Sequence, residues 1–323
     1  MTPKAWLAWL IVFVAAASAA RAQIRAADFT KVTLEEVLSI GTLDDDTLFQ
    51  WTGMAVDAQG AIYVLDAMDY SLKKFNSRGR LIKKTGRKGE GPGEFRLPRL
   101  LDCSPTRVYT TDQGVLDISV FDHELKFQKR IHCPLPVMHL KALPDGKIAV
   151  LTPGLQEPAK IRVLDGAGKV LSGITYMDKE SGLLMDSVSF VVGAGGHFFL
   201  AFLFQDKIER WSADGRLLWT RNILGAKKTG MMEVASKTMS FVLPNETCLK
   251  DIALDSRGRV YVLGGKLSPH PGRDVHVLSG DGRKLAMFVL PDTSHCLYID
   301  GGDFLYVRAN DGITLKKYRM RYE

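Results

Sequence analysis

Three side chains with complementary chemistry are the first candidates for a binding site: Arg99, His139 and Asp251. An arginine presents a planar set of donors to a carboxylate or phosphate, an aspartate is an acceptor or a cation ligand, and a histidine changes its charge near neutral pH. His295 is a fourth candidate of lower rank. Because these residues lie far apart along the chain, only a repeated architecture can bring them together.

The chain carries no motif of a known catalytic mechanism. It has no His-Glu-x-x-His, no Gly-x-Ser-x-Gly, no Cys-x-x-Cys and no glycine pattern of a dinucleotide-binding unit. The histidines lack the local ligand spacing of a zinc site and are scattered as His123, His132, His139, His197, His270, His276 and His295. Catalytic residues therefore stay unassigned, and no cofactor and no metal site is predicted.

The first 22 residues have the pattern of a secretory signal peptide. Lys4 supplies the positive charge, residues 5–20 are apolar or small, and Ala20-Arg21-Ala22 fits a cleavage site. The apolar run is shorter than the roughly 18 to 20 residues that span a bilayer comfortably. We therefore expect a signal peptide at residues 1–22, a single domain at residues 23–323 and an extracytoplasmic location, periplasmic or secreted. Retention of the segment as an anchor is the alternative.

Composition and charge exclude one class of partner. The 323 residues are 46% hydrophobic and 24% charged, with a formal net charge of +7, which is an ordinary globular balance. Basic residues cluster at Lys83, Lys84, Arg87 and Lys88, but no aromatic residues are interleaved for base stacking. Together with the expected export, this argues against a nucleic-acid partner and favours a solvated loop.

Six repeated units organise the chain. Each unit opens with an alternating apolar run, a turn containing glycine or proline and a second β-rich run, as in "MAVDAQGAIYVLD" from Met54 and "IALDSRGRVYVLG" from Ile252. A second hairpin follows, as in "SLKKFNSRGRLIKK" from Ser71. The units recur at blade-length intervals of about 40 to 60 residues. The sequence predicts an all-β fold, a six-bladed β-propeller with four-stranded antiparallel blades.

The sixth unit lacks one strand, because the chain ends after "TLKKYRMRYE". An unpaired blade edge would be exposed, and a propeller ring avoids this by closing. The segment Val32–Ile40 is rich in apolar and β-branched residues and belongs to no other unit. We predict that it pairs with residues 315–322 and closes the ring. A local helix over residues 33–39 is the alternative.

One glycine-rich run connects two of the units: "GRKGEGPGEFRLPRLL", residues 86–101. It does not suit phosphate binding, because Pro92 removes a backbone donor and no Gly-Lys-Ser or Gly-Lys-Thr follows. With "YVLDAMDYSLKKFNSRGRLI" before it, the run resembles the NHL-repeat proteins of the TolB-like propeller superfamily, which are six-bladed β-propellers. The resemblance covers residues 63–101 and implies that residues 89–98 join the outer strand of one blade to the inner strand of the next.

A propeller ring gathers the candidate residues at one face, since every inner strand starts there. Counting four residues back from each turn places Arg99, His139 and Asp251 at this rim, with His295 beside it. Loops of the same face add acidic residues, among them Asp66, Asp112 and Asp206. Two alternatives need no ligand: the polar bias can reflect solvent exposure, and Arg99 and Asp251 can pair with neighbouring blades.

Two local features carry further expectations. The longest connection between units contains Met232, Ala235 and Met239 at helical spacing, so an amphipathic helix over the channel mouth is one interpretation and a surface excursion the other. Four cysteines in an exported chain allow oxidation. The ring geometry predicts the disulfide Cys248–Cys296, because both residues open inner strands of adjacent blades.

Two function classes follow. The first is an extracytoplasmic binding or scaffold module, a monomer with a protein or small-molecule ligand at the channel mouth. The second, implied by the resemblance, is a metal-dependent lyase or lactonase with a divalent metal in the central channel. The scarcity of clustered metal ligands favours the first class.

Overall fold

The computed structural model describes residues 29–112, 116–133, 135–152, 161–176, 185, 187–235, 240–309 and 312–323. The expected signal peptide, residues 1–22, lies outside these residues. Within them, no helix is both long enough and apolar enough to cross a membrane.

Six antiparallel sheets of four strands each form the blades, which confirms the predicted fold class. Blade 1 contains β2 (Trp51–Val56), β3 (Ile62–Asp66), β4 (Ser71–Phe75) and β5 (Leu81–Thr85). Blade 2 contains β6 (Pro98–Cys103), β7 (Val108–Asp112), β8 (Asp117–Phe121) and β9 (Phe127–His132). Blade 3 contains β10 (His139–Ala142), β11 (Ile148–Leu151), β12 (Ile161–Leu164) and β13 (Val170–Ile174).

The second half of the ring repeats this order. Blade 4 contains β14 (Val188–Val192), β15 (Phe198–Phe202), β16 (Ile208–Trp211) and β17 (Leu217–Arg221). A separate hairpin follows, made of β18 (Met231–Ala235) and β19 (Ser240–Pro244). Blade 5 contains β20 (Leu249–Leu254), β21 (Val260–Gly264), β22 (Asp274–Leu278) and β23 (Lys284–Val289). Blade 6 contains β24 (Leu297–Ile299), β25 (Phe304–Ala309), β26 (Thr314–Tyr322) and, from the other end of the chain, β1 (Val32–Ile40).

The N-terminal strand closes the ring as predicted. β1 pairs antiparallel with β26 from Val32 opposite Tyr322 to Ile40 opposite Leu315. The backbones of Lys31 and Glu323 exchange two further hydrogen bonds at 3.2 and 3.0 Å. The helical alternative for residues 33–39 is wrong, because pairing satisfies the backbone groups of two strands that would otherwise be exposed edges.

The core lies between neighbouring blades, where the faces of two sheets meet. One such layer packs Ala55, Tyr63 and Leu72 of blade 1 against Val108 and Phe121 of blade 2. Alternating side chains along each strand supply the two faces of a sheet, so every blade contributes to two layers.

An aspartate and a tyrosine six positions later fix the turn between the first two strands in three blades. In blade 1 the Asp57 carboxylate accepts hydrogen bonds from the Ala61 N–H (2.9 Å) and the Tyr63 hydroxyl (2.9 Å). Gly60 completes this turn with φ of 80°, a conformation that glycine adopts without strain. The pairs that share this spacing and this contact are Asp57–Tyr63, Asp255–Tyr261 and Asp300–Tyr306.

The glycine-rich run is an inter-blade joint, as expected, since it connects the outer strand β5 to the inner strand β6 of the next blade. The Glu94 carboxylate accepts a hydrogen bond from the Gly91 N–H at 2.8 Å, and Phe95 is buried in the layer between blades 1 and 2. The Asp112 carboxylate accepts hydrogen bonds from the Arg96 and Leu97 N–H groups. The run therefore satisfies its own polar groups.

Of the two interpretations of the longest connection, the helix over the channel mouth is wrong for the residues that the structure describes. Met232 lies in β18, which pairs with β19 from Met231 opposite Pro244 to Ala235 opposite Ser240. Met239 lies outside the described residues. Val234 and Val242 favour strands, and three residues at helical spacing were too few to outweigh that preference.

The predicted disulfide Cys248–Cys296 is also wrong, because all four cysteines are free. Cys248 is buried in the layer between blades 4 and 5, whereas Cys296 packs against the layer between blades 6 and 1. Both residues lie near the start of an inner strand, as expected. Their side chains nevertheless belong to different inter-blade layers. Similar positions in the repeat do not predict which layer a side chain enters.

Candidate functional site

The first strands of the six blades surround a central channel and run in the same direction. They are β2, β6, β10, β14, β20 and β24. Successive members contact one another from β2 to β24, and a hydrogen bond from the Val56 N–H to the Tyr298 hydroxyl connects β2 to β24. We call the side where these strands begin the start face and the side where they end the turn face. The sequence predicted a site at the start face.

His139 lies in the channel near the start face and lines a small cavity of about 100 Å³. Its Nδ1 accepts a hydrogen bond from the Phe190 N–H of the next blade at 3.2 Å, and the two rings meet edge to face at 4.7 Å. Burial, with the charge of Lys141, lowers the pKa of His139 from 6.5 to about 3. The imidazole is therefore neutral at physiological pH, so it does not change charge there.

Asp251 lines the same small cavity. Its carboxylate accepts hydrogen bonds from the Leu297 N–H (2.8 Å), the Ile252 N–H (2.9 Å) and the Ser189 hydroxyl (2.5 Å). Burial raises the pKa of Asp251, and the hydrogen bonds and Lys141 only partly oppose this effect. Asp251 thus connects blades 4, 5 and 6, which is the pairing with neighbouring blades that the sequence left open as an alternative.

Both residues belong to a ring of hydrogen bonds that connects each blade to the next around the channel. In every case a side chain of one inner strand bonds to a group of the neighbouring inner strand. The six bonds, from blade 1 onward, are Thr52 Oγ1 to Pro98 O, Ala142 N to Asp102, Phe190 N to His139, Ser189 Oγ to Asp251, Leu297 N to Asp251 and Val56 N to Tyr298 Oη.

Arg99 does not share the position of His139 and Asp251. It is exposed and forms a bulge in β6, since Pro98 pairs with Asp112 and Leu100 pairs with Thr111. Counting four residues back to Arg99 takes Cys103 as the turn residue of blade 2, but the turn begins at Ser104, whose N–H donates a hydrogen bond to the Arg107 carbonyl. This one-residue error moves Arg99 off the channel and places Leu100 in the cavity.

His295 is exposed at the start face, where its Nδ1 lies 3.4 Å from the Lys250 ammonium. The structure therefore brings His139 and Asp251 into one cavity, and neither Arg99 nor His295 lines it. A ligand role for these four residues stays a prediction.

The acidic residues of the start-face loops bind the backbone of the segments that connect strands and blades. Asp66 accepts hydrogen bonds from the Phe49 and Gln50 N–H groups at 2.9 and 3.1 Å. Asp206 accepts bonds from the Ile223 and Leu224 N–H groups, each at 2.8 Å. These carboxylates accept hydrogen bonds from backbone N–H groups of the connecting segments. This structural role explains the acidic residues of the start face without a ligand.

A much larger cavity, of about 740 Å³, opens at the turn face. Five of the six blades contribute to its lining, with Asp102, Lys141, Val191, Ile252 and Leu297 as one residue from each. Its apolar wall consists of Val191, Val192, Ile252, Leu254, Leu297 and Ile299. The volume lies in the range of small-molecule pockets, about 300 to 1,000 Å³.

Lys141 occupies the centre of the channel. It lines both cavities, and its ammonium lies 6.0 Å from the centre of the Tyr298 ring. Because Lys141 belongs to blade 3 and Tyr298 to blade 6, which are opposite in a ring of six, this side chain reaches across the channel. The sequence reasoning missed it, although Lys141 follows His139 by two residues and so lies on the same face of β10.

The acidic residues of the larger cavity are engaged by the protein itself. Asp102 accepts hydrogen bonds from the Ala142 and Cys103 N–H groups, each at 2.9 Å, and burial raises its pKa. The Asp255 carboxylate pairs with Arg259 and accepts a hydrogen bond from Tyr261 at 3.1 Å. Within the described ranges, no group of three or more His, Cys, Asp or Glu side chains is placed to hold a metal ion.

Comparisons with solved structures extend over nearly the whole chain. A DUF4221 family member from Bacteroides vulgatus has 12% identity and a TM-score of 0.63, covering 91% of this chain and 99% of that one. Virginiamycin B lyase from Staphylococcus aureus has 12% identity and a TM-score of 0.55, with 89% and 99% covered. A Bacteroides fragilis protein provisionally described as exported has 11% identity and a TM-score of 0.58, with 90% and 95% covered. At these identities the similarity shows the fold alone.

Comparisons of sequence give one result at the level of a family. No curated protein matches the chain. The family DUF5128, described as a 6-bladed beta-propeller, matches residues 26–234, which is more than half of the chain, and the protein therefore belongs to this six-bladed β-propeller family.

Proposed function

We propose that this propeller is an extracytoplasmic binding module whose small-molecule ligand enters the central channel at the turn face. The observation that carries the proposal is the cavity of about 740 Å³, lined by five blades and backed by an apolar wall. A concave, mainly apolar pocket with a few polar groups is the usual form of a small-molecule site.

The frame around this cavity is held in place before any ligand arrives. The six inter-blade hydrogen bonds fix the inner strands around the channel, and Asp102 and Tyr298 take part in them while also lining the cavity. A site that does not need to be ordered on binding keeps more of its interaction energy as affinity. This supports a binding role for the whole ring.

Gly301 allows the cavity to be blocked with little strain. It lines the cavity, and a Cβ atom built on it meets no atom within 4 Å. Gly301→Trp is therefore expected to fill the mouth while the blade folds. Gly166→Trp is the matched control, because Gly166 also lies in an exposed turn and a Cβ atom there meets only the Lys129 ammonium at 3.9 Å.

The experiment compares wild type, Gly301→Trp and Gly166→Trp after incubation with the small-molecule extract of the cell that produces the protein. Native mass spectrometry then detects retained ligands. We expect a retained mass on wild type and on Gly166→Trp that is absent from Gly301→Trp. Equal retention by all three proteins, or none by wild type, would contradict the proposed site; a protein partner in place of a small molecule would then need pull-down from the envelope fraction.

The extracytoplasmic location and the monomeric state are parts of the same proposal. The N-terminal pattern of charge, apolar run and Ala-Arg-Ala supports export. The similarity of fold to a Bacteroides fragilis protein provisionally described as exported agrees with it. The NHL-repeat resemblance of residues 63–101 likewise stays a prediction.

The enzymatic alternative, a metal-dependent lyase or lactonase, has a separate test. Virginiamycin B lyase shares the fold at 12% identity, which carries no inference about activity. Elemental analysis of the purified protein decides between the two classes. About one tightly bound zinc or calcium ion per chain would favour the enzyme over the binding module.

A further inference from the structure

We propose that Lys141 binds the acid group of the ligand, and that the ligand of the turn-face cavity is an organic carboxylate with an apolar body. This inference rests on the proposed function and names the chemical class of its ligand. It is carried by the position of one ammonium group, by the engagement of the nearby carboxylates and by the composition of the cavity wall.

The Lys141 ammonium has no close anionic partner. Within the part of the chain that the structure describes, no carboxylate oxygen lies within 4.0 Å of it and no hydrogen bond engages it. The ammonium lies 6.0 Å from the centre of the Tyr298 ring. The two buried lysines of the described chain are paired: Lys73 contacts Asp66 at 2.9 Å and Lys317 contacts Asp300 at 3.6 Å. A half-buried cation without a partner costs free energy that a bound anion would offset.

The carboxylates nearest to Lys141 are not free to neutralise it. Asp251 accepts hydrogen bonds from Ser189 and Leu297 of the two neighbouring inner strands. Asp102 accepts one from the Ala142 N–H of the neighbouring inner strand and one from the Cys103 N–H of its own strand, so neither carboxylate can move toward the ammonium without breaking a bond between blades. Asp300, also in the lining, accepts bonds from the Phe304 N–H and the Tyr306 hydroxyl at 3.0 and 2.8 Å. None of these carboxylates lies within 4.0 Å of the Lys141 ammonium, which therefore remains able to bind an acid group.

The wall has two other cations, Arg210 and Arg257, but neither stands where Lys141 does, and Arg257 lies in the exposed turn of blade 5. The Arg210 guanidinium donates to the Gly280 carbonyl at 2.9 Å and lies 5.3 Å from the Phe199 ring. Lys141 instead stands at the inner end of the cavity, where the channel passes to the smaller cavity of the start face. With its acid group bound there, the ligand would extend along the channel toward the turn face.

Part of the wall between Lys141 and the turn face is apolar, so an inorganic anion would use only part of the site. Val191, Ile252, Leu254, Leu297 and Ile299 line this space. Burying an aliphatic chain against these residues removes apolar surface from water, which favours binding. The site thus suits a molecule with one acid end and an apolar remainder, and it disfavours a cation of the same size.

Three probes of equal length test the class of ligand: hexanoate, hexanamide and hexylammonium, each titrated into the full mature chain by calorimetry. We expect hexanoate to bind, with affinity at least about tenfold above that of the other two, because a hydrogen bond between charged groups is stronger than its neutral counterpart. Equal binding of all three probes would overturn the assignment of a carboxylate ligand.

Variants of the lysine test the anchor. Lys141→Met is expected to weaken hexanoate binding about tenfold or more, whereas Lys141→Arg keeps the charge and retains most of it. Lys147→Met is the matched control, because Lys147 lies in the exposed turn of the same blade and outside the cavity. Unchanged binding by Lys141→Met would overturn the proposal. If that variant does not fold, Lys141→Gln, which also removes the charge, replaces it, and unchanged binding by Lys141→Gln would overturn the proposal in the same way.

The outcomes separate this inference from the function on which it rests. If Gly301→Trp abolishes retention of an extract ligand but hexanoate does not bind wild type, the binding module stands and the carboxylate class is wrong. If wild type retains nothing from the extract and binds none of the probes, both fail. If hexanoate binds equally to wild type and Gly301→Trp, the anion site lies elsewhere and the proposal for Lys141 is wrong.

Discussion

At the residue scale, two of the predicted site residues use their polar atoms for hydrogen bonds between blades. His139 and Asp251 were selected for their place at the channel, and they do lie in one cavity. Each uses its polar atoms to bind an N–H group of the next inner strand. An inner strand has an open edge toward the channel, so its backbone donors need side-chain acceptors.

The low pKa of His139 predicts a dependence of stability on pH. Its pKa is about 3 in the folded chain and 6.5 as an unperturbed group, so the unfolded chain binds the proton first. The stability that neutral His139 contributes is complete above about pH 6.5 and is lost as the pH falls toward 3, by up to about 1.4 kcal/mol per pH unit. His139→Gln removes this loss.

Urea unfolding of wild type and His139→Gln at about pH 7 and about pH 4.5 checks this prediction. We expect the advantage of wild type over the variant to shrink, or to reverse, at the lower pH. An advantage of the same size at both pH values would show that His139 takes up its proton as easily in the folded chain as in the unfolded one.

Asp251 and Arg99 are predicted to differ in their effect on stability. Asp251→Ala leaves the Leu297 and Ile252 N–H groups without their acceptor and should lower the free energy of unfolding by about 1 to 3 kcal/mol. Arg99→Ala changes an exposed residue in a bulge and should stay within about 0.5 kcal/mol of wild type. Thermal or urea unfolding measures the free energy of unfolding of both variants. An equal decrease in the two would contradict these roles.

The sequence identified the position of some site residues but not their contacts. The turn of blade 2 begins at Ser104, one residue later than the alignment placed it, and side chains alternate along a strand. That single step moved Arg99 out of the channel. Lys141 was missed because only one position was taken from each blade, and the next residue on the same face was not considered.

At the element scale, the need to pair exposed strand edges gave the most reliable prediction from the sequence. The sixth unit lacked a strand, the N-terminal segment lacked a unit, and β1 and β26 pair as the sequence predicted. The hairpin of β18 and β19 was missed because helical spacing was judged from three residues only. Strand preference of Val234 and Val242 and pairing across the hairpin decided the structure.

Ring closure by β1 predicts a specific sensitivity to proline. Lys31 and Glu323 exchange both backbone hydrogen bonds, and bonded pairs alternate along an antiparallel ladder, so the Thr33 N–H points toward β26. Thr33→Pro removes this donor and should lower the free energy of unfolding by about 1 to 3 kcal/mol relative to Thr33→Ala, which keeps it. Equal unfolding midpoints of the two variants would contradict closure through this strand.

At the scale of the whole molecule, the repeat predicted the number of blades and their strand order, and the NHL-repeat resemblance implied the joint at residues 89–98. It did not predict which face carries the large cavity. The size of each channel mouth depends on how far the side chains and turns of six blades extend toward the axis, and short turns such as that of Asp300 and Gly301 leave the turn face open. This information is not present in any single repeat.

Export predicts a defined N-terminus. Cleavage after Ala20-Arg21-Ala22 would leave Gln23 as the first residue of the mature chain. N-terminal sequencing of the protein recovered from the envelope or the medium should therefore begin with Gln-Ile-Arg. Recovery of a chain that still begins at Met1 in the membrane fraction would show that the segment is kept as an anchor.

The most direct test of the central proposal is a crystal structure of the protein carrying the ligand that it retains from cell extract. We expect density for one molecule in the turn-face cavity, with an acid group within hydrogen-bond distance of the Lys141 ammonium and its apolar part against Ile252 and Leu297. A ligand bound at the start face beside Arg99, with the turn-face cavity empty, would contradict it.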